Sequence, residues 1–311
     1  MSEMMITTDE LTKHYPQVRA VDGLNLRVPP GSVYGFLGRN GAGKTSTIKL
    51  LLGLTRPTAG AARVLGLDPR RDRVAILERT AYVSENKRLY EWMTPVELLR
   101  FTRGFYTQWS DEAVAKYVRR LEIPLQQPFK TLSLGNRTKV YLLLALAQRA
   151  DLLILDEPTS GLDPVIVDEL LRVLAEGHLA EGGTVFLSSH QLSEVEQIAD
   201  WVGIIDQGKL LLEAGLEDIK NEFRLITAAG EGLPAFGPPQ VVSAVQAGAF
   251  WKYVVARDAE AFAARLQQQG ATITDVSPLN LRQIFLALTR KEEPCMPGNG
   301  GERTAAVSSS I

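Results

Sequence analysis

One short stretch, GRNGAGKT from Gly38 to Thr45, constrains this chain more than any other part of it. The stretch matches the pattern G-x-x-x-x-G-K-[ST] at every position, and it lies between an apolar run that predicts a buried strand and a pattern that predicts a helix. Glycines let the backbone turn its N–H groups inward around a phosphate, and the following helix directs its positive end at the same point. We therefore predict a phosphate-binding loop. Its binding residues are Gly38, Asn40, Gly41, Ala42, Gly43, Lys44, Thr45 and Ser46.

A second apolar run, LLILDE, ends in an acidic pair, Asp156 and Glu157. On its own, such a pair is more often a solvated strand end. Beside a phosphate loop it favours nucleotide hydrolysis, because Lys44 would neutralise the β- and γ-phosphates while Thr45 and Asp156 would hold Mg²⁺. Glu157 would then accept a proton from the attacking water. These residues thus predict a Mg²⁺-dependent nucleotide site with a candidate base for hydrolysis.

Apolar runs alternate with helical patterns as far as about residue 206. VYGFL precedes the phosphate loop, and DLLILDE and TVFLSS also have the length of buried strands. Helices are predicted to begin at Thr94 and Ser110, where a capping residue precedes a helical pattern. This alternation favours an α/β fold with helices on both faces of a mostly parallel sheet.

The pattern changes after residue 215. LPAFGPPQ is rich in turn formers and predicts a loop, and strand and helix patterns then alternate as far as LRQIFLAL. We predict a first domain over residues 1–215 and a small α+β C-terminal domain over residues 216–290. Gly, Ser, Pro and charge dominate residues 291–311, which predicts a disordered tail.

Charge and cysteine content narrow the possible partners and compartments. The 34 basic and 36 acidic residues give a net charge of -2, so no nucleic-acid partner is expected. A single cysteine, Cys295, forms no intramolecular disulfide and agrees with a reducing cytosol. Because the sequence shows neither a secretory signal nor a run of ~18 apolar residues, we expect a cytoplasmic chain that reaches a membrane only through a partner.

Four motifs together resemble the nucleotide-binding domain of ATP-binding cassette (ABC) proteins. They are GRNGAGKT, LSLGNR, LLILDEPTSGLD and FLSSHQLSEVE with its His190, in this order and within residues 5–215. The resemblance implies a P-loop NTPase fold with a mostly parallel core sheet, an antiparallel β subdomain and a helical subdomain at about residues 86–150. Its activity would be ATP hydrolysis.

The LSLGNR segment also has the form of a second anion site, which the resemblance explains. In ABC proteins two domains dock head to tail, and Ser133, Gly135 and Asp163 would contact the ATP that the partner holds. This segment departs from the usual L-S-G-G-Q, since Leu134 replaces a glycine and Asn136 replaces the glutamine. Taken alone, Ser133 is an ordinary helix cap.

Three further roles follow from the resemblance. Tyr15 would stack on adenine, His190 would assist hydrolysis at the γ-phosphate, and Glu85 would contact Mg²⁺ where most members carry glutamine. The alternatives are an exposed loop tyrosine for Tyr15 and a solvated loop acid for Glu85.

SENKRLYEWMT and PLNLRQIFLALTR resemble segments of ATPase subunits from ABC-2-type exporters. The resemblance implies two partners, a second ABC ATPase subunit (identical or different) and an integral membrane permease, which would hold the chain at the inner face of the cell membrane. Tyr90 and Trp92 would either anchor the permease or pack internally. The alternative function is a soluble cassette that acts on DNA or ribosomes. A P-loop GTPase or small-molecule kinase would not need the LSLGN and SGLD segments.

Overall fold

The alternation of strand and helix predicted above builds the larger of two units. A computed structural model describes residues 3–86, 89–230, 232–234 and 240–289. The first unit extends to Glu213, and the second begins at Ala214. The α/β architecture expected from the sequence is confirmed.

The secondary structure elements follow one another in this order. The strands are β1 (Ile6–Tyr15), β2 (Val18–Leu24), β3 (Arg27–Val28), β4 (Val33–Leu37), β5 (Ala59–Val64), β6 (Thr80–Val83), β7 (Leu152–Asp156), β8 (Thr184–Ser189), β9 (Trp201–Asp206), β10 (Lys209–Gly215), β11 (Phe223–Ala229), β12 (Val241–Ala247), β13 (Phe250–Ala256) and β14 (Thr272–Pro278). The helices are α1 (Lys44–Leu51), α2 (Arg73–Glu78), α3 (Pro95–Arg103), α4 (Asp111–Arg120), α5 (Leu134–Leu146), α6 (Pro164–Val173), α7 (Leu192–Ile198), α8 (Leu216–Glu222), α9 (Ala259–Gln268) and α10 (Leu281–Thr289). A 3-10 turn (Phe129–Thr131) and a π-helical turn (Leu174–Leu179) complete the set.

The central sheet has six strands in the order β10-β9-β4-β8-β7-β6. The pairs β9–β4, β4–β8, β8–β7 and β7–β6 are parallel. Every residue of β4, β7 and β8 is buried, as expected for strands covered on both faces. Three rings form part of this core: Tyr34 stacks on Phe186, and Phe36 contacts Phe186 at a tilt of 39°.

A second, antiparallel sheet forms around the long strand β1, which pairs with β2, β3 and β5. Helices α3 to α5 lie between β6 and β7 in the chain. Thr94 closes a capping box at α3 and Ser110 caps α4, so the predicted helix starts are correct. These are the subdomains that the family resemblance implies.

The second unit is built on a four-stranded sheet in the order β12-β13-β11-β14. Its core contains Trp251, Tyr253 and Phe262, whose rings are in contact. The predicted disordered tail, residues 291–311, lies outside the described residues, as do residues 235–239 of the predicted LPAFGPPQ loop.

His178 lies buried in the π-helical turn, with Gly183 packed directly against its ring. Its Nε2 donates to the carbonyl oxygen of Thr184 at 3.2 Å. Burial lowers the pKa of His178, partly offset by this hydrogen bond. The folded chain therefore binds this proton less readily than the unfolded chain. Stability from the neutral ring is present above the unfolded pKa and is lost as the pH falls through the folded pKa.

We expect His178→Gln to weaken the acid dependence of folding, because glutamine still donates to Thr184 but does not titrate. The fall in melting temperature between about pH 7.5 and about pH 5.5 should be smaller in this variant than in the wild type. His14→Gln, a change at an exposed histidine, serves as the matched control. Equal acid dependence in all three proteins would contradict the assignment.

Candidate functional site

Three neighbouring parallel strands, β4, β8 and β7, end at the same edge of the central sheet. Leu37 pairs with Ser189, and Asp156 pairs with Ser188. The residues that follow these strands therefore emerge side by side, in the crevice where open α/β sheets bind ligands. They are the start of the phosphate loop, Glu157 and His190.

The conformation of the phosphate loop requires its glycines. Gly43 has a φ of 115°, and a Cβ atom there would lie 2.2 Å from the carbonyl oxygen of Ala20. A Cβ atom at Gly38 would lie 2.6 Å from the carbonyl oxygen of Ile205. None of the described side chains caps the first turn of α1, so its N–H groups are available to a phosphate. The remaining predicted loop residues, Asn40, Gly41, Ala42, Thr45 and Ser46, fall within the same turn and the start of α1.

Lys44 points into the site and is buried. Its Nζ donates to the carbonyl oxygens of Gly38 at 2.7 Å and Arg39 at 3.3 Å, and it forms an ion pair with Glu157 Oε1 at 3.0 Å. Both charged side chains are only 6% exposed. A buried pair of this kind leaves a costly unpaired charge if one partner is removed. Lys44 thus lies within the phosphate loop, where it would meet a phosphate.

Glu157 is held in an unusual backbone conformation, with a φ of 47° in the left-handed region. Such strain in a residue other than glycine is concentrated at functional sites. The Glu157 N–H donates to Ser188 Oγ at 3.2 Å, which fixes the turn. His190 Nδ1 lies 2.7 Å from Glu157 Oε2 and donates to it, since a carboxylate accepts. Lys44, Glu157 and His190 therefore form one connected cluster.

Asp156 is fully buried and accepts from Ser188 Oγ at 2.7 Å through Oδ1. Burial raises the pKa of Asp156, and the hydrogen bond from Ser188 acts in the opposite direction. Its second oxygen, Oδ2, has no hydrogen-bond partner among the described residues. A buried oxygen of this kind fits a Mg²⁺ site, directly or through water.

A complete metal cage is absent from the part of the chain that the structure describes, which contains no group of three His, Cys, Asp or Glu side chains able to hold a metal. Mg²⁺ is usually bound through one or two protein ligands together with water and substrate phosphates. The Thr45 hydroxyl and Asp156 fit that donor set.

Glu85 is exposed and lines a cavity of about 750 Å³ that Glu157, Leu134 and Tyr141 also line. Burial, together with the negative charges of Asp156 and Glu85, raises the pKa of Tyr82 to about 12. Glu85 therefore adds negative charge near the acidic end of β7. Its contact with a metal stays a prediction.

Ser133 caps α5, where its Oγ accepts from the N–H of Asn136 at 3.2 Å. Gly135 follows in the first turn, and a Cβ atom there would lie 2.3 Å from Ile166 Cδ1. A larger residue at Gly135 would therefore require the end of the Ile166 side chain to move. Leu134, between them, is 52% exposed.

Asp163 caps α6, accepting from the N–H groups of Val165 and Ile166 at 3.1 Å each. A Cβ atom at Gly161 would lie 3.3 Å from Leu134 Cδ2. The loop that carries Asp163 thus packs against the segment that carries Ser133. The predicted partner-site residues Ser133, Gly135 and Asp163 form a second group.

Tyr15, the last residue of β1, is exposed, and Lys13 Nζ lies 5.1 Å from the centre of its ring. An exposed ring face is compatible with stacking on a base, which stays a prediction.

Sequence reasoning missed four buried polar residues around the Lys44–Glu157–His190 cluster. Ser188 bonds to Asp156, while Thr159 and Ser189 both bond to Glu194. The available signal was polar side chains within or beside apolar strands, in FLSSHQLSEVE and DEPTSG.

Comparison with known proteins agrees with this geometry. The ABC transporter family model matches residues 21–160. The bacitracin transport ATP-binding protein BcrA of Bacillus licheniformis is 40% identical over 228 residues, 72% of this chain and 74% of that protein. The lantibiotic transport ATP-binding protein SrtF of Streptococcus pyogenes is 33% identical over 220 residues, 70% of this chain and 93% of that protein. A solved structure of an ATP-binding subunit of an ABC transporter has a TM-score of 0.63 and 28% identity, and the match covers 70% of this chain and 92% of that chain.

The likeness extends through the phosphate loop, the segment of Ser133 and the acidic pair, so the nucleotide is ATP and the metal cofactor is Mg²⁺. The chain belongs to the ABC transporter family, as an ATP-binding and ATP-hydrolysing subunit of the exporter-type group.

Proposed function

We propose that two copies of this chain dock head to tail and hydrolyse ATP in two sites, each formed by residues of both copies. The observation that carries the proposal is the Lys44–Glu157–His190 cluster beside a phosphate loop, on a chain that also presents the exposed segment of Ser133. The cluster supplies a base and a cation but no second anion cap. The start of α5 on a facing copy would supply that cap through its N–H groups and dipole.

Lys44 and Glu157 change partners in the proposed reaction. Two carbonyls and the Glu157 carboxylate surround the Lys44 ammonium. The phosphates of ATP draw Lys44 away from Glu157, which is then free to accept a proton from water. His190, hydrogen-bonded to Glu157, holds the orientation of that carboxylate.

Thr45 and Asp156 are the residues proposed to hold Mg²⁺, with Glu85 nearby. The ion supplies positive charge against the phosphates and orients them. Asp156 is suited to this role because Ser188 fixes one of its oxygens while the other has no partner among the described residues.

Identical copies are sufficient for this arrangement. A single chain carries the phosphate loop, the Glu157–His190 pair and the group formed by Ser133, Gly135 and Asp163. Two copies related by a two-fold axis would therefore complete two equivalent sites. The exposed apolar side chains of Leu134 and Val165, at the starts of α5 and α6, would lie on the facing surface.

We also propose that an integral membrane permease binds this chain and holds it at the inner face of the membrane. No helix of the described residues is long and apolar enough to cross a membrane. An aromatic patch (Tyr90, Trp92, Phe101 and Phe105) supports the proposal. Neighbouring rings are 5.1–5.2 Å apart, and the exposed fraction is 42% at Tyr90 and 69% at Trp92. Exposed aromatic clusters commonly mark protein interfaces.

A pull-down from solubilised membranes tests the permease proposal. The wild-type chain should recover a protein with several membrane spans. The double variant Trp92→Ala, Phe105→Ala should recover at least tenfold less, because truncating one aromatic hot spot costs about 2 kcal/mol or more and about 1.4 kcal/mol is a tenfold change in affinity. Phe250→Ala, a change at an exposed ring in the second unit, is the control and should recover the wild-type amount. Recovery of ribosomes or DNA without a membrane protein would instead support the soluble alternative.

A further inference from the structure

Glu194 is a buried acid to which neither the sequence motifs nor the reaction above gives a role. It lies in the first turn of α7 and is only 4% exposed. Its Oε2 accepts two hydrogen bonds, from Thr159 Oγ1 at 2.6 Å and from Ser189 Oγ at 3.2 Å. Its Oε1 has no hydrogen-bond partner within the described part of the chain. A buried carboxyl with one unpartnered oxygen is costly, so its presence calls for an explanation.

Glu194 contacts one chain neighbour of His190 directly and reaches the other through it. Ser189 precedes His190 and donates to Glu194. The same Ser189 Oγ accepts from the N–H of Gln191 at 2.9 Å, which closes the backbone into a tight turn around His190. Glu194 therefore fixes the segment that directs the His190 ring.

The other contact reaches the strand end that carries Glu157. Thr159 is two residues beyond Glu157, is 2% exposed, and accepts from the N–H of Leu162 at 3.0 Å through its carbonyl oxygen. One carboxyl group thus joins the turn after β7 to the turn after β8. These are the two turns that bring Glu157 Oε2 and His190 Nδ1 to 2.7 Å from each other.

We propose that Glu194 is a positioning residue that holds His190 at hydrogen-bond distance from Glu157, an inference that rests on the proposed roles of those two residues in hydrolysis. Displacements of about 1 Å in a reacting geometry reduce rates by ~100-fold. Glu194 contacts neither the phosphate loop nor Lys44 in the hydrogen bonds of the described residues, so ATP binding should depend on it little.

Glutamine should replace Glu194 well. Burial raises the pKa of Glu194, with hydrogen bonds from Thr159 and Ser189 acting in the opposite direction. A neutral side chain of the same shape keeps an oxygen that accepts from both hydroxyls. Leucine fills a similar volume but accepts nothing.

The test compares kcat and KM for ATP hydrolysis in four full-length variants. We expect Glu194→Leu to lower kcat by ~10–100-fold with KM within about threefold of the wild type. Glu194→Gln should keep most of the wild-type kcat. Thr159→Val, which removes one hydroxyl without changing shape, should lower kcat by a smaller factor, and Thr159→Ser should restore it.

Thr8→Val is the matched control, because Thr8 is also buried and its hydroxyl donates to the Leu24 carbonyl oxygen at 2.7 Å, in the antiparallel sheet. The proposal is overturned if Glu194→Leu folds and keeps the wild-type kcat, if KM rises while kcat does not change, or if Thr8→Val loses as much kcat as Thr159→Val. If Glu194→Leu does not fold, the Thr159 pair decides by the same criteria.

Glu157→Gln in the same assay distinguishes a failure of the proposed function from a failure of the positioning role of Glu194. If Glu157→Gln hydrolyses ATP normally, the proposed function fails. If it is inactive while Glu194→Leu and Thr159→Val are normal, only the positioning role fails.

Discussion

Replacing Glu157 with glutamine is expected to lower the rate of ATP hydrolysis by ~100–10,000-fold, the usual contribution of a general base. Glutamine keeps the shape of the side chain and its hydrogen bond to His190 but accepts a proton poorly. ATP should still bind, because the phosphate loop is unchanged and Lys44 no longer has to break an ion pair with Glu157 in order to contact the phosphates. The pair of chains should therefore accumulate with ATP bound, since release depends on hydrolysis.

Steady-state phosphate release and light scattering with ATP present measure both parts of this expectation. The thermal unfolding of the free variant should also be recorded, because it leaves Lys44, which is 6% exposed, without its ion pair. Glu181→Gln, which changes an exposed glutamate paired with Arg149, is the control and should keep the wild-type rate. A Glu157→Gln variant that turns over within a few-fold of the wild type would remove Glu157 from the role of base.

The second large effect is expected from Ser133→Arg. The arginine would occupy the space between the start of α5 and the ATP that the facing copy holds. The cap that Ser133 provides to Asn136 would also be lost. Hydrolysis should fall by at least ~100-fold, because each site loses one of its two sides, while the affinity of the single chain for ATP stays within a few-fold.

Variants at a second helix cap separate the interface from helix stability. Ser110 caps α4 in the same way, accepting from the N–H of Ala113 at 3.1 Å. Ser110→Ala and Ser133→Ala should each cost about 1 kcal/mol of stability. Only changes at Ser133 should reduce hydrolysis and ATP-dependent pairing. If Ser133→Arg hydrolyses ATP at the wild-type rate, the segment does not cap a neighbouring site.

The sequence is most informative about features that depend on residues close together in the chain. The spacing of Gly38, Gly43 and Lys44 predicts a phosphate loop because each residue acts through its own backbone or charge. The runs that became β4, β7 and β8 are recognisable because a strand buried on both faces is apolar at every position. The partner-site roles of Ser133 and Asp163 follow only from the family resemblance, because neither residue type shows by itself that it faces a second chain.

Contacts between distant residues were not predictable from the sequence. The Lys44–Glu157 ion pair depends on β4 and β7 both lying beside β8, although the two residues are 113 positions apart in the chain. The left-handed conformation of Glu157 has no signal in its residue type. The sequence around Glu194 predicts an exposed acid on a short helix. In the structure, Thr159, 35 positions earlier in the chain, lies beside Glu194 and donates a hydrogen bond to it. The π-helical turn around His178 has no composition that marks it.

The most direct test of the shared site measures the rate of ATP hydrolysis per chain across a dilution series, with the particle mass determined at each concentration. The account predicts that the rate per chain follows the fraction of paired chains and disappears when every particle has the mass of one chain. A full rate per chain at concentrations where all particles are single chains would contradict it.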